Sequence, residues 1–137
     1  VMGEGRGVAL GDYNGDGRVD VAMGEHGGPV RLYRNEGGKA GLRVRLAGPA
    51  GNVWGLGAVV QLGSGEKAGP AREVHGGSGW GSQDSAVSVL GWPEGMSLQK
   101  GAVLRVRWPG GVRTTNAVPS GAQEVKVDPN GTLEVVR

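Results

Sequence analysis

The chain has no cysteine and no phenylalanine among its 137 residues. Without cysteine it has no disulfide framework and no thiol chemistry. No apolar run approaches the roughly 18 residues that a membrane span needs. No block of lysine and arginine appears either. The formal net charge is +2, and the arginines alternate with apolar residues. That pattern argues against a nucleic-acid partner, which would call for a basic patch. The opening stretch, "VMGEGRGVAL", lacks the charged and apolar regions of a leader peptide. It starts inside a repeat-like pattern, as a piece of a longer protein or a processed product would.

Glycine is what the sequence has in excess, at 30 residues. Val, Leu and Trp recur between the glycines, so the composition speaks of many turns and not of low complexity. The length suits one domain, or a domain plus a fragment. Three short strand candidates fall at 7–10, 19–23 and 30–34, and a Gly/Lys/Ala stretch at 37–41 reads as a linker. Beyond it, period-two alternation recurs. In "LRVRLA" Leu42, Val44 and Leu46 share one face, and Arg43 and Arg45 the other. In "AVLRVRW" Leu104, Val106 and Trp108 oppose Arg105 and Arg107. Further strands are predicted at 57–63, 71–75, 86–90, 122–127 and 132–137, and "DPNG" at 128–131 predicts a hairpin turn. No window of a dozen residues has helical periodicity. The chain is therefore expected to be all-β, with a sandwich or barrel in its larger part.

The stretch "DYNGDGRVD" places side-chain oxygens at Asp12, Asn14, Asp16 and Asp20, with Gly17 after the third. Calcium takes six to eight oxygens, and alternate loop positions can aim carboxylates at one point while glycine permits the sharp turn. Position seven would add the backbone carbonyl of Arg18. An EF-hand needs glutamate at position twelve, where this chain has Met23, and the flanks read as strands. The expected site is thus a calcium loop between two strands. The bland alternative is an Asx-rich turn. Against that alternative, three Asp around one point repel each other without a cation.

These residues carry a resemblance. "GDYNGDGRVDVAMGEHGGPVRLYRNEGG" resembles the FG-GAP or VCBS repeat, a blade of integrin-like β-propellers whose strand-to-strand loop holds calcium. The remainder resembles the ASPIC/UnbV domain through "GNVWGLGAVVQL", "REVHGGSGWGSQDS" and "VLRVRWPGGVRT". Where that family has an H-F-G-L-G-like stretch, this chain has "VSVLGWPEG" at 87–95. The resemblance implies a blade-like propeller fragment at 1–38 followed by a β-sandwich-like domain at 39–137. It also implies a secreted or cell-envelope location. Family members range from a cartilage matrix protein to products of enediyne biosynthesis clusters, and no reaction is implied.

His75 lies near Glu73, Ser78, Ser82, Asp84 and Ser85, but no nucleophile elbow accompanies it, so a hydrolytic site is not expected. Trp80 and Trp92 sit in Gly/Pro loops and could stack on sugars, whereas Trp54 and Trp108 read as core. The arginine pairs 43/45 and 105/107 read as a solvated sheet face. The expected function is a calcium-stabilised, non-catalytic binding or scaffolding module with a protein or glycan partner. A carbohydrate-binding module is the alternative, and an accessory role in enediyne-type metabolism the third. The first segment has fewer strands than a full blade. It is expected either to fold onto the rest of its own chain, as a monomer, or to pair with a second copy as a homodimer.

Overall fold

A computed structural model describes residues 4–65, 67–93 and 101–137. Glu94 and Gly95 of the "VSVLGWPEG" stretch lie outside the described residues. Among those described there is no helix, and twelve strands form three sheets.

The first sheet is an antiparallel meander of β1 (Gly5–Gly11), β2 (Asp20–Glu25) and β3 (Arg31–Tyr33). Leu10 faces Val21, and Gly11 faces Asp20, so the register delivers both ends of the 12–20 loop to one point. Val8, Leu10, Val30 and Leu32 stay exposed on this sheet.

The larger part is a two-sheet sandwich. One sheet holds β5 (Val59–Ser64), β6 (Lys67–Ala68), β7 (Arg72–Glu73), β9 (Val103–Arg107) and β10 (Arg113–Ala117), all paired antiparallel. The other runs β12 (Leu133–Val135), β11 (Glu124–Val127), β4 (Leu42–Leu46), β8 (Ser88–Leu90), with β11 and β4 parallel. The alternation seen in the sequence becomes the core: Leu42, Val44 and Leu46 meet Val60, Leu62, Leu104, Val106, Val125 and Val127. Each such side chain contributes about 1.5–3 kcal/mol by leaving water. Trp108 is buried in the same core, its Nε1–H donating to Thr114 Oγ1 at 3.2 Å. The hairpin at 128–131 forms as expected, with Gly131 N donating to the Asp128 carbonyl at 3.1 Å.

Two strands escaped the sequence patterns, Lys67–Ala68 and Arg113–Ala117. Two tryptophans also depart from expectation. Trp54, expected in the core, is 52% exposed. Asn52 turns it outward by bonding both the N–H (2.8 Å) and the carbonyl (3.0 Å) of Leu56 across a tight loop. Trp92, expected at the surface, packs against the core.

The two parts are joined by more than the linker. Gly41 N donates to the Gly17 carbonyl at 2.8 Å, and Arg137 Nη2 donates to the Gly15 carbonyl. Along the outer edge of β1, Leu10 N donates to Asp84 Oδ1 and Leu10 O accepts from Ser85 N, both at 2.8 Å. The small sheet therefore folds onto its own chain. No helix among the described residues is long and apolar enough to cross a membrane.

Candidate functional site

The loop between β1 and β2 is shaped by Gly15 and Gly17, whose φ angles of 74° and 80° only glycine adopts without strain. Its polar side chains fold inward onto backbone donors. Asp12 accepts Asp16 N on Oδ1 (3.0 Å) and Gly17 N on Oδ2 (2.7 Å). Asn14 accepts Asp16 N at 3.1 Å and donates its amide to Asp16 Oδ2 at 2.8 Å. Asp16 Oδ1 accepts Arg18 N at 3.0 Å. Asp20, buried at the start of β2, takes Tyr13 N on Oδ2 (3.2 Å) and Asn35 N on Oδ1 (2.7 Å). Asp20 thereby ties the loop's first turn to the chain beyond β3.

Asp12, Asn14 and Asp16 are bonded to one another, and Asp20 is held against the same turn. Arg18 enters through its N–H and its guanidinium, and its carbonyl accepts none of these bonds. Among the described residues no group of three or more His, Asp or Glu is spaced to hold a metal ion. The loop carboxylates have cationic partners within the chain. Arg18 Nη2 lies 2.7 Å from Asp16 Oδ2, and Arg34 Nη2 lies 3.8 Å from it. Arg43 Nη1 lies 2.5 Å from Asp12 Oδ2. Partial burial alone would raise the Asp16 carboxyl, but the Asn14 amide and the Arg18 backbone and guanidinium outweigh it and hold it below the usual range. Guanidinium groups thus relieve the repulsion that the sequence pattern implies.

The donor types are those a hard cation takes, although the carboxylates are not gathered on one point. Three carboxylates and an amide oxygen sit on one short turn, and a carboxylate oxygen that accepts one N–H keeps a second lone pair.

Arg43 belongs to a chain of charges that the sequence did not reveal. Its Nε donates to Glu124 Oε2 at 2.8 Å, and Arg45 donates through Nε (3.1 Å) and Nη2 (2.9 Å) to Glu124 Oε1. Burial would raise the Glu124 carboxyl, yet the two guanidiniums hold it below the usual range. Burial would lower the Arg43 guanidinium, and Glu124 and Asp12 raise it instead. The face read as solvated is therefore covered at Arg43. Arg107 alone of the four lies in an exposed position.

The residues around His75 are occupied differently. His75 Nδ1 is 3.7 Å from Glu73, Ser78 Oγ accepts Asp84 N at 2.6 Å, and Ser85 Oγ accepts Val87 N at 3.1 Å. Among the described residues no serine is hydrogen-bonded to His75. Elsewhere Trp54 and Leu56 line a cleft of about 530 Å³ together with Arg45 and Asp84.

Two family descriptions match the chain. Residues 5–42 match the FG-GAP repeat, and residues 48–134 match the family described as ASPIC and UnbV. Cartilage acidic protein 1 of Mus musculus is 48% identical over 46 residues, 33% of this chain and 7% of that protein. Cartilage acidic protein 1 of Homo sapiens is 62% identical over 29 residues, 21% of this chain and 4% of that protein. The chain spans less than a tenth of the length of these relatives.

Proposed function

The chain belongs to the ASPIC/UnbV family, with an FG-GAP repeat ahead of that domain, and from this premise we propose a non-catalytic binding or scaffolding module of the cell exterior whose 12–20 loop takes up calcium. The units are 1–38, which carries the cation loop, and 39–137, which presents the surface. The similarity to cartilage acidic protein 1 supports a secreted or envelope setting.

One observation carries the calcium reading. Asp12, Asn14 and Asp16 are interlocked on a single glycine-turned loop, and Asp20 closes it from β2. Asp12, Asn14, Asp16, Asp20 and the Arg18 carbonyl would hold the ion. Calcium would supply a divalent centre that draws these oxygens together, and its effect would be on stability.

Thermal melting tests the reading. Binding to the native loop alone shifts the folding equilibrium by mass action. The melting temperature is expected to rise with millimolar calcium and fall with chelator, and Asp16→Ala is expected to remove both responses. A variant that responds like the wild type would assign the stabilisation to some other place.

A second reading, carbohydrate binding, draws support from the Trp54 cleft, where an exposed indole lies beside a guanidinium and a carboxylate. A glycan array that binds wild type and not Trp54→Ala would favour it.

A further inference from the structure

Of the guanidiniums on the loop, Arg43 differs in kind. Arg18 and Arg34 are local to the repeat and partly exposed, with side chains 23% and 50% accessible. Arg43 comes from β4 of the sandwich, and its side chain is 10% accessible, against 1% for Asp12. It reaches Asp12 twice, with Nη1 at 2.5 Å from Oδ2 and 3.2 Å from the carbonyl. Its Nε is anchored from behind by Glu124 at 2.8 Å. The guanidinium is therefore held at Asp12 from two sides, where a surface arginine would spend its time in solvent.

We propose that Arg43 is a tethered counter-cation, which competes with a divalent ion for Asp12 and keeps the loop folded without metal. The inference rests on the calcium reading of the loop. Asp12 Oδ2 already serves Gly17 N and Arg43, and Oδ1 serves Asp16 N. An ion at about 2.3–2.6 Å from an Asp12 oxygen would stand close to a buried guanidinium of like charge. Binding on the Oδ2 side would then displace Arg43 from Asp12, leaving it to Glu124. Metal loading would thereby remove one tie between the small sheet and the sandwich, and calcium affinity would stay low while Arg43 is present.

Calorimetric titration with calcium chloride tests this on the full chain as wild type, Arg43→Met and the double variant Arg43→Met/Glu124→Met. The double variant guards against a misfolded single one, because apolar side chains of similar volume often replace a buried ion pair without loss. Removing one charge-assisted competitor is expected to tighten calcium binding by about tenfold or more. In wild type, the Arg43 Nε–Hε resonance is expected to shift as calcium is added. Equal or weaker binding in the folded variants, or an unmoved resonance in a wild type that binds calcium, overturns the inference and leaves the calcium site standing. No heat in any form at millimolar calcium removes the site and the inference together.

Discussion

Asp84 reaches across from the sandwich and accepts the backbone N–H of Leu10 on β1 at 2.8 Å, from 74 residues away. With Ser85 N on the Leu10 carbonyl, it gives the edge of β1 a partner of the kind a further strand would supply. An edge strand left open invites pairing with another chain. Here the β1 edge is covered at Leu10 from within the chain.

The first prediction is that the chain runs as a monomer in light scattering, with the Leu10 amide protected from hydrogen exchange. Asp84→Ala is expected to remove that protection and lower stability by about 1 kcal/mol, the typical net value of one hydrogen bond. A dimer in which the Leu10 amide exchanges freely would show that the edge is paired some other way.

Gly17 offers a test of how tightly the loop docks. Its φ of +80° already disfavours a side chain, and an added Cβ would lie 2.9 Å from the Gly41 carbonyl oxygen. Gly27 has a similar φ of +67° and no atom within 4 Å of such a Cβ. Alanine at Gly27 is expected to carry the conformational strain alone, about 1–2 kcal/mol. At Gly17 the backbone clash adds to it, for a total of about 2–4 kcal/mol. Urea denaturation of the two variants separates the terms. Equal losses would mean that the loop gives way without resistance from the linker.

These features were unequally legible in the sequence. Leu42, Val44 and Leu46, and likewise Leu104 and Val106, announce their strands because one face is buried and the side chains alternate. Arg113–Ala117 shows no such alternation. It holds its place through backbone pairing with β9, with Thr114 bonded to Trp108. The loop residues 12–20 were legible because their turn chemistry is local. Arg43 was not, because its burial comes from Asp12, 31 residues away, and Glu124, 81 residues away. Trp54 was misread for the opposite reason. It adjoins an apolar strand, yet the bonds of Asn52 to Leu56 decide which way it points.

The tryptophans give a third prediction. Trp80 is 75% exposed and lies under the Arg6 guanidinium, 5.9 Å from the ring centroid. Trp80→Ala is expected to change stability by no more than about 0.5 kcal/mol, as surface changes usually do. Trp92 packs on the core, and Trp92→Ala is expected to cost about 2–3 kcal/mol through lost contacts and a cavity. Thermal unfolding measures both. Similar losses at the two positions would contradict this assignment of inside and outside.

The last prediction concerns acid. Glu124 is held below the usual glutamate range because hydrogen bonds from Arg43 and Arg45 outweigh its burial. A carboxyl whose folded-state pKa lies below its unfolded one binds fewer protons when folded, so stability rises with pH while it titrates. Its contribution is complete above the ordinary glutamate value of about 4.3 and is lost as the pH falls through the lowered one. Arg43 stays charged throughout, since its pKa is raised further, so the acid loss comes from the carboxyl side. Asp16 and Asp128 are lowered as well and add to the acid slope of any variant that keeps them. The informative quantity is therefore the difference between wild type and Glu124→Gln. At pH 6 the variant is expected to be less stable by about 2–3 kcal/mol, because a neutral amide replaces a charged partner of two guanidiniums. As the pH falls below about 4.3 the wild type is expected to lose that lead progressively, and the gap between the two to narrow. Urea unfolding across this range measures it, and a gap that stays constant down to pH 3 would mean that Glu124 is not held by its arginines in the folded state.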